Sequence, residues 1–391
     1  VPKPEDFMRY AEARTYYDAD SHIMETPSWL RDHATAEEAV LLGELTPTNA
    51  GAAFKQAIEH AEARRASPEA TAKLLQEPII SGPKGWLAYG ASTSDERSKA
   101  LDLLGFRRQL VFPTFALGQF ARSKDHDVIY AGTSALNRGI ASFCAGDERM
   151  LAVGYLPLHD PARAQRALDS GISAGVRAFW VSADPVGDRS PSHVDHEPIW
   201  QRMAQAGIPL VLHIGAGSLP SRAYHNNGRP RPTDWLGGGE NMRSRDWPGA
   251  AQAAQNFLTS LVLDGVFERH EQLRCGVIEL GGTWVPGFMQ LLDQAGQNFR
   301  KSEPLLQELK LKPSEYLRRQ VRISLFPFES AGWLIQQAGE ELFMFASDFP
   351  HPEGGRDPIG RFEASLETAA IPEPAAERFR HRNFAELMGI A

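Results

Sequence analysis

Cysteine is scarce. Cys144 and Cys275 are the two cysteines in 391 residues, and neither belongs to a Cys-x-x-Cys or comparable cluster. That excludes a thiolate metal site and a disulfide-built scaffold, and points to two buried thiols in a reducing compartment. Long apolar runs are missing too: none approaches the ~18 residues of a membrane span. The opening Val1-Pro2-Lys3-Pro4-Glu5-Asp6 lacks the charged and then apolar pattern of a secretion signal, so a soluble cytoplasmic protein with no membrane partner is expected. There is no excess of basic residues. The formal net charge is -8 in a chain that is 42% hydrophobic and 23% charged, which argues against nucleic acid as a partner. Nor does a Gly-rich phosphate fingerprint follow the first strand, which weakens any nucleotide-binding reading.

What is present near the N-terminus is Tyr16-Tyr17-Asp18-Ala19-Asp20-Ser21-His22, followed by Ile23-Met24-Glu25-Thr26-Pro27. In an extended strand, Asp20 and His22 point to the same face, so a carboxylate oxygen and an imidazole nitrogen converge. That donor mixture suits Zn, Mn or Fe(II) better than Ca or Mg. The pair alone is weak evidence, because the chain holds 12 His and 49 acidic residues. Further ligands must come from elsewhere.

After this stretch, a polar Ala- and Glu-rich segment of about 31–80 is expected to form short helices cut by Pro47 and Pro68, an inserted cap or a surface excursion. A turn at Pro83-Lys84-Gly85-Trp86 then opens an alternation of amphipathic helices with short apolar strands. Strands are expected at 109–115 and 150–157 and onward to 342–348, nine with the opening one, of which one of the pair at 109–115 and 150–157 is expected to be irregular. Apolar strands alternating with helices predict an α/β fold with a parallel sheet, best fitted by one TIM-type (β/α)8 barrel domain over 1–391; a doubly wound sheet is the alternative. The two insertions are the helical one after strand 1 and a long Arg/Gly-rich loop, about 218–248, after strand 5.

In such a barrel, chemistry gathers where strands end. Three strands end in residues a core would not choose: Val211-Leu212-His213, Val277-Ile278-Glu279 and Phe345-Ala346-Ser347-Asp348. Each alone reads as a hydrogen-bonded strand end or a helix cap. With Asp20 and His22 they give five potential ligands on one rim. The motifs Asp18-Ala19-Asp20-Ser21-His22, Leu212-His213-Ile214-Gly215, Glu279-Leu280-Gly281-Gly282-Thr283-Trp284 and Ser347-Asp348-Phe349-Pro350-His351 resemble the amidohydrolase superfamily. The branch they resemble contains aminocarboxymuconate-semialdehyde decarboxylase, hydroxybenzoate-type decarboxylases and related hydrolases. The resemblance implies metal ligands at Asp20, His22, His213 and Asp348. It also marks a departure, since Glu279 stands where the decarboxylases place a catalytic histidine.

Two roles are open for Glu279, a second base or a ligand to a second ion, so one or two divalent ions per chain are expected. Asp348 is placed to take and return a proton. His351 and Glu25 are expected to orient the ligands, with loop hydrogen bonding or capping as the plain alternative. Trp180 is expected to form a pocket wall. Arg222, Arg243 and Arg245 in the long loop suggest a small anionic substrate, a CoA ester being one candidate. The reaction first expected is hydrolysis of an anionic ester or thioester by a metal-bound hydroxide, as in the acyl-CoA thioesterase subtype of this branch. Metal-dependent decarboxylation of an aromatic or unsaturated acid is the alternative. By analogy with related barrels, a homodimer is expected.

Overall fold

The chain is described by a computed structural model over residues 9–11, 14–46, 51–215, 226–230, 232 and 242–390. Nine stretches among the described residues have strand geometry, but the first two, Tyr17–Asp18 and His22–Ile23, are halves of one interrupted strand, β1. The others are β2 (Arg108–Pro113), β3 (Met150–Tyr155), β4 (Ala178–Trp180), β5 (Leu210–His213), β6 (Cys275–Ile278), β7 (Val321–Ser324) and β8 (Phe343–Met344). The irregularity expected in the second or third strand therefore lies in the first; β2 and β3 are both regular and pair in register from Gln109 opposite Met150.

All pairings are parallel and follow chain order from β1 to β8. The circle closes between the two ends of the sequence. Ser21 bridges Phe349, Ala19 N–H donates to Phe345 O at 3.1 Å, and Asp348 N–H donates to Asp20 O at 2.9 Å. Helices separate the strands as a βα rhythm requires, and their starts and stops are written locally. Asp160 caps the helix Pro161–Ala174, accepting from Arg163 N–H, and Gly175 ends it at φ 107, a left-handed value that a side chain disfavours. Apolar strand residues such as Leu110, Val153, Phe179, Leu212, Val277 and Ile323 are buried in one continuous core.

The polar segment after β1 forms helices Trp29–Asp32, Ala36–Leu41, Gly51–Arg65 and Pro68–Leu74, with Pro68 opening a helix capped by Ser67. It is anchored on the barrel by Phe54 against Trp86, and Trp86 in turn stacks on Phe115 at 5.0 Å. No helix among the described residues is long and apolar enough to cross a membrane.

Candidate metal centre

The break in β1 sets the site. Asp18 lies opposite Gln109 and His22 opposite Phe112, so four steps of β1 span three of β2 and one residue bulges out. Bulges re-aim side chains next to active sites. The convergence of Asp20 with His22, expected from a regular strand, instead comes from this bulge: Asp20 Oδ1 lies 3.2 Å from His22 Nε2. Beneath it, the buried Asp18 carboxylate accepts from Ser347 N–H, Ser347 Oγ and Gln109 Nε2 at 2.6–2.8 Å, fastening β1 to β2 and to the segment after β8. Burial pushes this carboxyl up to about 7, against the pull of those donors.

Neighbouring strands deliver the other donors. His213, the last residue of β5, puts Nε2 3.4 Å from Asp20 Oδ1 and 3.4 Å from Glu279 Oε2, which comes from the end of β6. The ligand-type atoms of Asp20, His22, His213 and Glu279 all lie within 4.8 Å of one another, and all four residues are buried. A second group shares His22: Asp348 Oδ1 is 3.7 Å from its Nε2 and 3.0 Å from Nδ1 of His351. Glu279 and Asp348 both have a left-handed φ, 53° and 49°, a backbone state that non-glycine residues avoid and that recurs at functional sites.

The protonation states suit a cation. Burial and then the neighbouring His351 push the His22 imidazole down to about 3, so it is neutral near pH 7. Its Nδ1 faces Pro113 O at 3.2 Å, which leaves the lone pair on Nε2. His213 repeats the arrangement, Nδ1 facing Ile214 O at 2.8 Å. Burial tends to raise the Asp20 carboxyl, but His213 and His22 outweigh it and hold it well below the ordinary range. Asp20 Oδ1 and His22 Nε2 are buried without a hydrogen bond. Two such atoms facing each other beside two more donors are costly without a cation between them. The residues therefore fit a divalent ion bound by mixed imidazole and carboxylate donors.

Aromatic rings wall the cluster. His22 stacks on His351 at 4.1 Å, and His213 packs against Phe112 at 4.6 Å and Trp180 at 4.7 Å. The Trp180 indole N–H is buried with no acceptor. His351 is held from its far side by Thr114 Oγ1 at 3.1 Å. Glu25 makes its hydrogen bonds away from the ligand atoms. Its carboxylate accepts the backbone N–H groups of Thr114, Phe115 and Ala116 at 2.9–3.2 Å, fixing the turn that carries Thr114.

In the long loop, Arg222 lies outside the described residues, Arg245 is exposed, and Arg243 N–H donates to the Asp246 carboxylate at 2.9 Å. Trp247 continues the loop onto Phe326 and Phe328. A residue that sequence reasoning passed over is Lys84. Its Nζ is buried without a hydrogen bond, and burial brings the ammonium down to about 8 while the charge of Asp348 works against that fall. The signal available was a single lysine in a Pro-Lys-Gly turn.

No curated protein matches the chain by sequence. Solved structures do match. An amidohydrolase from Mycobacterium avium subsp. paratuberculosis superposes with a TM-score of 0.69 at 21% identity, covering 97% of this chain and 99% of that one. A 2,6-dihydroxybenzoate decarboxylase from Rhizobium gives 0.62 at 18% identity, covering 96% and 99%. A 5-carboxyvanillate decarboxylase from Novosphingobium aromaticivorans, complexed with manganese and 4-hydroxy-3-methoxy-5-nitrobenzoic acid, gives 0.62 at 15% identity and covers 100% of both chains. At these identities the likeness establishes the fold, a TIM-type (β/α)8 barrel. The sequence model described as amidohydrolase matches residues 18–390, from the start of the bulged strand through the closing helices, and this chain belongs to the amidohydrolase family.

Proposed function

We propose that the protein is a metal-dependent decarboxylase acting without redox change on an aromatic carboxylic acid. The observation that carries the reading is the Asp348–His351 couple, 3.0 Å apart, set beside a donor cluster walled by Phe112 and Trp180. Flat aromatic walls favour a flat substrate. Two of the solved structures of the same fold are decarboxylases of aromatic acids, and one of them carries manganese. Thioester hydrolysis rested on the Arg-rich loop, and the solved structures of the same fold favour decarboxylation over it.

Asp20, His22, His213 and Glu279 would hold the ion, with Asp348 at its edge. The ion, when bound, supplies positive charge that draws in and stabilises electron-rich substrate oxygens. The other steps belong to the side chains. Asp348, carrying a proton, delivers it to the ring carbon that bears the carboxylate. The bond from that carbon to the carboxylate then breaks, its electron pair returns to the ring, and carbon dioxide leaves. His351, steadied by Thr114, orients Asp348 while it regains a proton from solvent. Trp180 N–H is available to a substrate oxygen.

Manganese-loaded protein incubated with a panel of hydroxybenzoic acids in deuterated water should release carbon dioxide and place one deuterium on the vacated carbon. Asp348→Asn should lower that rate about 10²–10⁴-fold with metal content unchanged, the usual worth of a positioned acid. Turnover of thioesters with no carbon dioxide from any acid in the panel would overturn the reading.

A further inference from the structure

The donor cluster has a charge problem. Asp20 and Glu279 already balance one divalent ion, Asp348 beside them carries a proton, and an acid substrate brings a further negative charge that nothing among these groups offsets. A substrate carboxylate entering this low-dielectric site needs a cation besides the metal. Arg97 is buried close by, but its donors face backbone and core: Nε donates to Gly90 O at 2.6 Å, Nη2 to His22 O, and Nη1 to Gln109 Oε1 at 3.2 Å. It supports the strand from behind.

Lys84 differs on each point. It lies in the turn that follows the helical segment inserted after β1, and the two residues after it are pinned on the site. Gly85 N–H donates to Pro350 O at 2.9 Å, within the Asp348-Phe349-Pro350-His351 turn, and Trp86 Nε1 donates to Glu25 O at 3.0 Å. The Lys84 Nζ is shielded from water and makes no hydrogen bond, and the charges of Asp348 and Glu353 oppose the lowering of its ammonium by burial. A buried ammonium that spends none of its three donors is unfavourable in the empty protein and becomes favourable when an anion takes them.

We propose that Lys84 is the anion-binding residue of the site, receiving the carboxylate of the substrate beside Asp348 and selecting charged acids over neutral analogues of the same shape. The assignment rests on the reading of the substrate as a carboxylic acid. The helical segment then has a task, to carry the recognising cation, while the strand ends hold the metal and the acid.

Calorimetric titration of the manganese-loaded full chain tests this with three probes: 2-hydroxybenzoate, its neutral amide, and propionate. Lys84→Met should weaken both acids by about tenfold or more while leaving the amide within about twofold, the pattern of a lost charge-assisted contact. Lys84→Arg should recover most of the loss, and manganese content and circular dichroism should match the parent in both variants. Equal affinity of parent and Lys84→Met for the acids overturns the proposal, as does a parallel loss for acid and amide. The two readings fail separately. If no aromatic acid releases carbon dioxide but acid binding still depends on Lys84, the reaction is misassigned and the anion site stands; if the parent binds neither acid, both fall.

Discussion

At the scale of single residues, the site is built from side chains whose buried polar atoms make sense only together. Asp20 and His22 are the test of that. In an Asp20→Ala, His22→Ala double variant purified folded, metal content measured by plasma mass spectrometry should fall from about one ion per chain, or more, to below about one tenth, because two of four donors are lost and affinity falls steeply with each. Stoichiometric metal in that variant would place the ion elsewhere. Asp20 and His22 were legible in the sequence from their two-residue spacing, and His213, Glu279 and Asp348 because each is a polar residue ending an apolar strand, an expensive position unless chemistry needs it. Lys84 was not legible, since its meaning depends on Pro350 and Asp348, residues far along the chain that the fold brings to it. For Glu25 the sequence left two roles open, orienting a ligand or loop hydrogen bonding, and its contacts are of the second kind. The sequence places a carboxylate two positions beyond Ile23, and only the fold shows that it accepts three backbone N–H groups away from the ligand atoms.

At the scale of elements, turns at the strand ends are held by single carboxylates. Burial raises the Glu25 carboxyl, with the Phe115, Ala116 and Thr114 N–H groups opposing. Glu25→Gln turns an amide NH2 toward donors that need an acceptor, and should lower stability by about 1–3 kcal/mol in urea unfolding, with the Thr114 turn loosened and activity reduced at unchanged metal content. Asp147 plays a similar part between the helix Ser94–Leu104 and β3, bonded to Ser98 Oγ at 2.6 Å and to Arg149 through N–H, Nε and Nη2. Burial would raise its carboxyl, but Arg149 and Ser98 outweigh that and bring it down from 3.8 to about 2. A lowered carboxyl contributes stability that is complete above the unfolded value near 3.8 and vanishes as pH falls through the folded one. The melting-temperature gap between parent and Asp147→Asn should therefore be widest above about pH 5 and close toward about pH 2; a gap independent of pH would show that the charge of Asp147 is not what matters. The helices and the βα order could be read from apolar spacing and from Gly and Pro punctuation. The bulge in β1 could not, because a one-residue slip leaves no mark in a stretch as short as Asp18-Ala19-Asp20-Ser21-His22.

For the molecule as a whole, the metal cluster and the barrel seam are one structure. Removing the ion leaves converging carboxylates unneutralised where the first and last strands meet, so loss of metal should be felt as loss of global stability. Protein stripped with a chelator should melt several degrees lower and recover on adding manganese, by about 2.7 kcal/mol once free metal reaches a hundred times its dissociation constant. An unchanged melting curve would mean that the cluster is stable without a cation.

The seam has one more consequence. Asp18 and Ser347 meet across 329 positions of sequence. As the chain leaves the ribosome, Asp20 and His22 emerge more than three hundred residues ahead of Ser347, which helps lock their strand in place. A nascent chain cannot assemble the complete donor cluster, however long it waits. The full donor set, Asp348 included, therefore comes together only after the last strand of the barrel has been made.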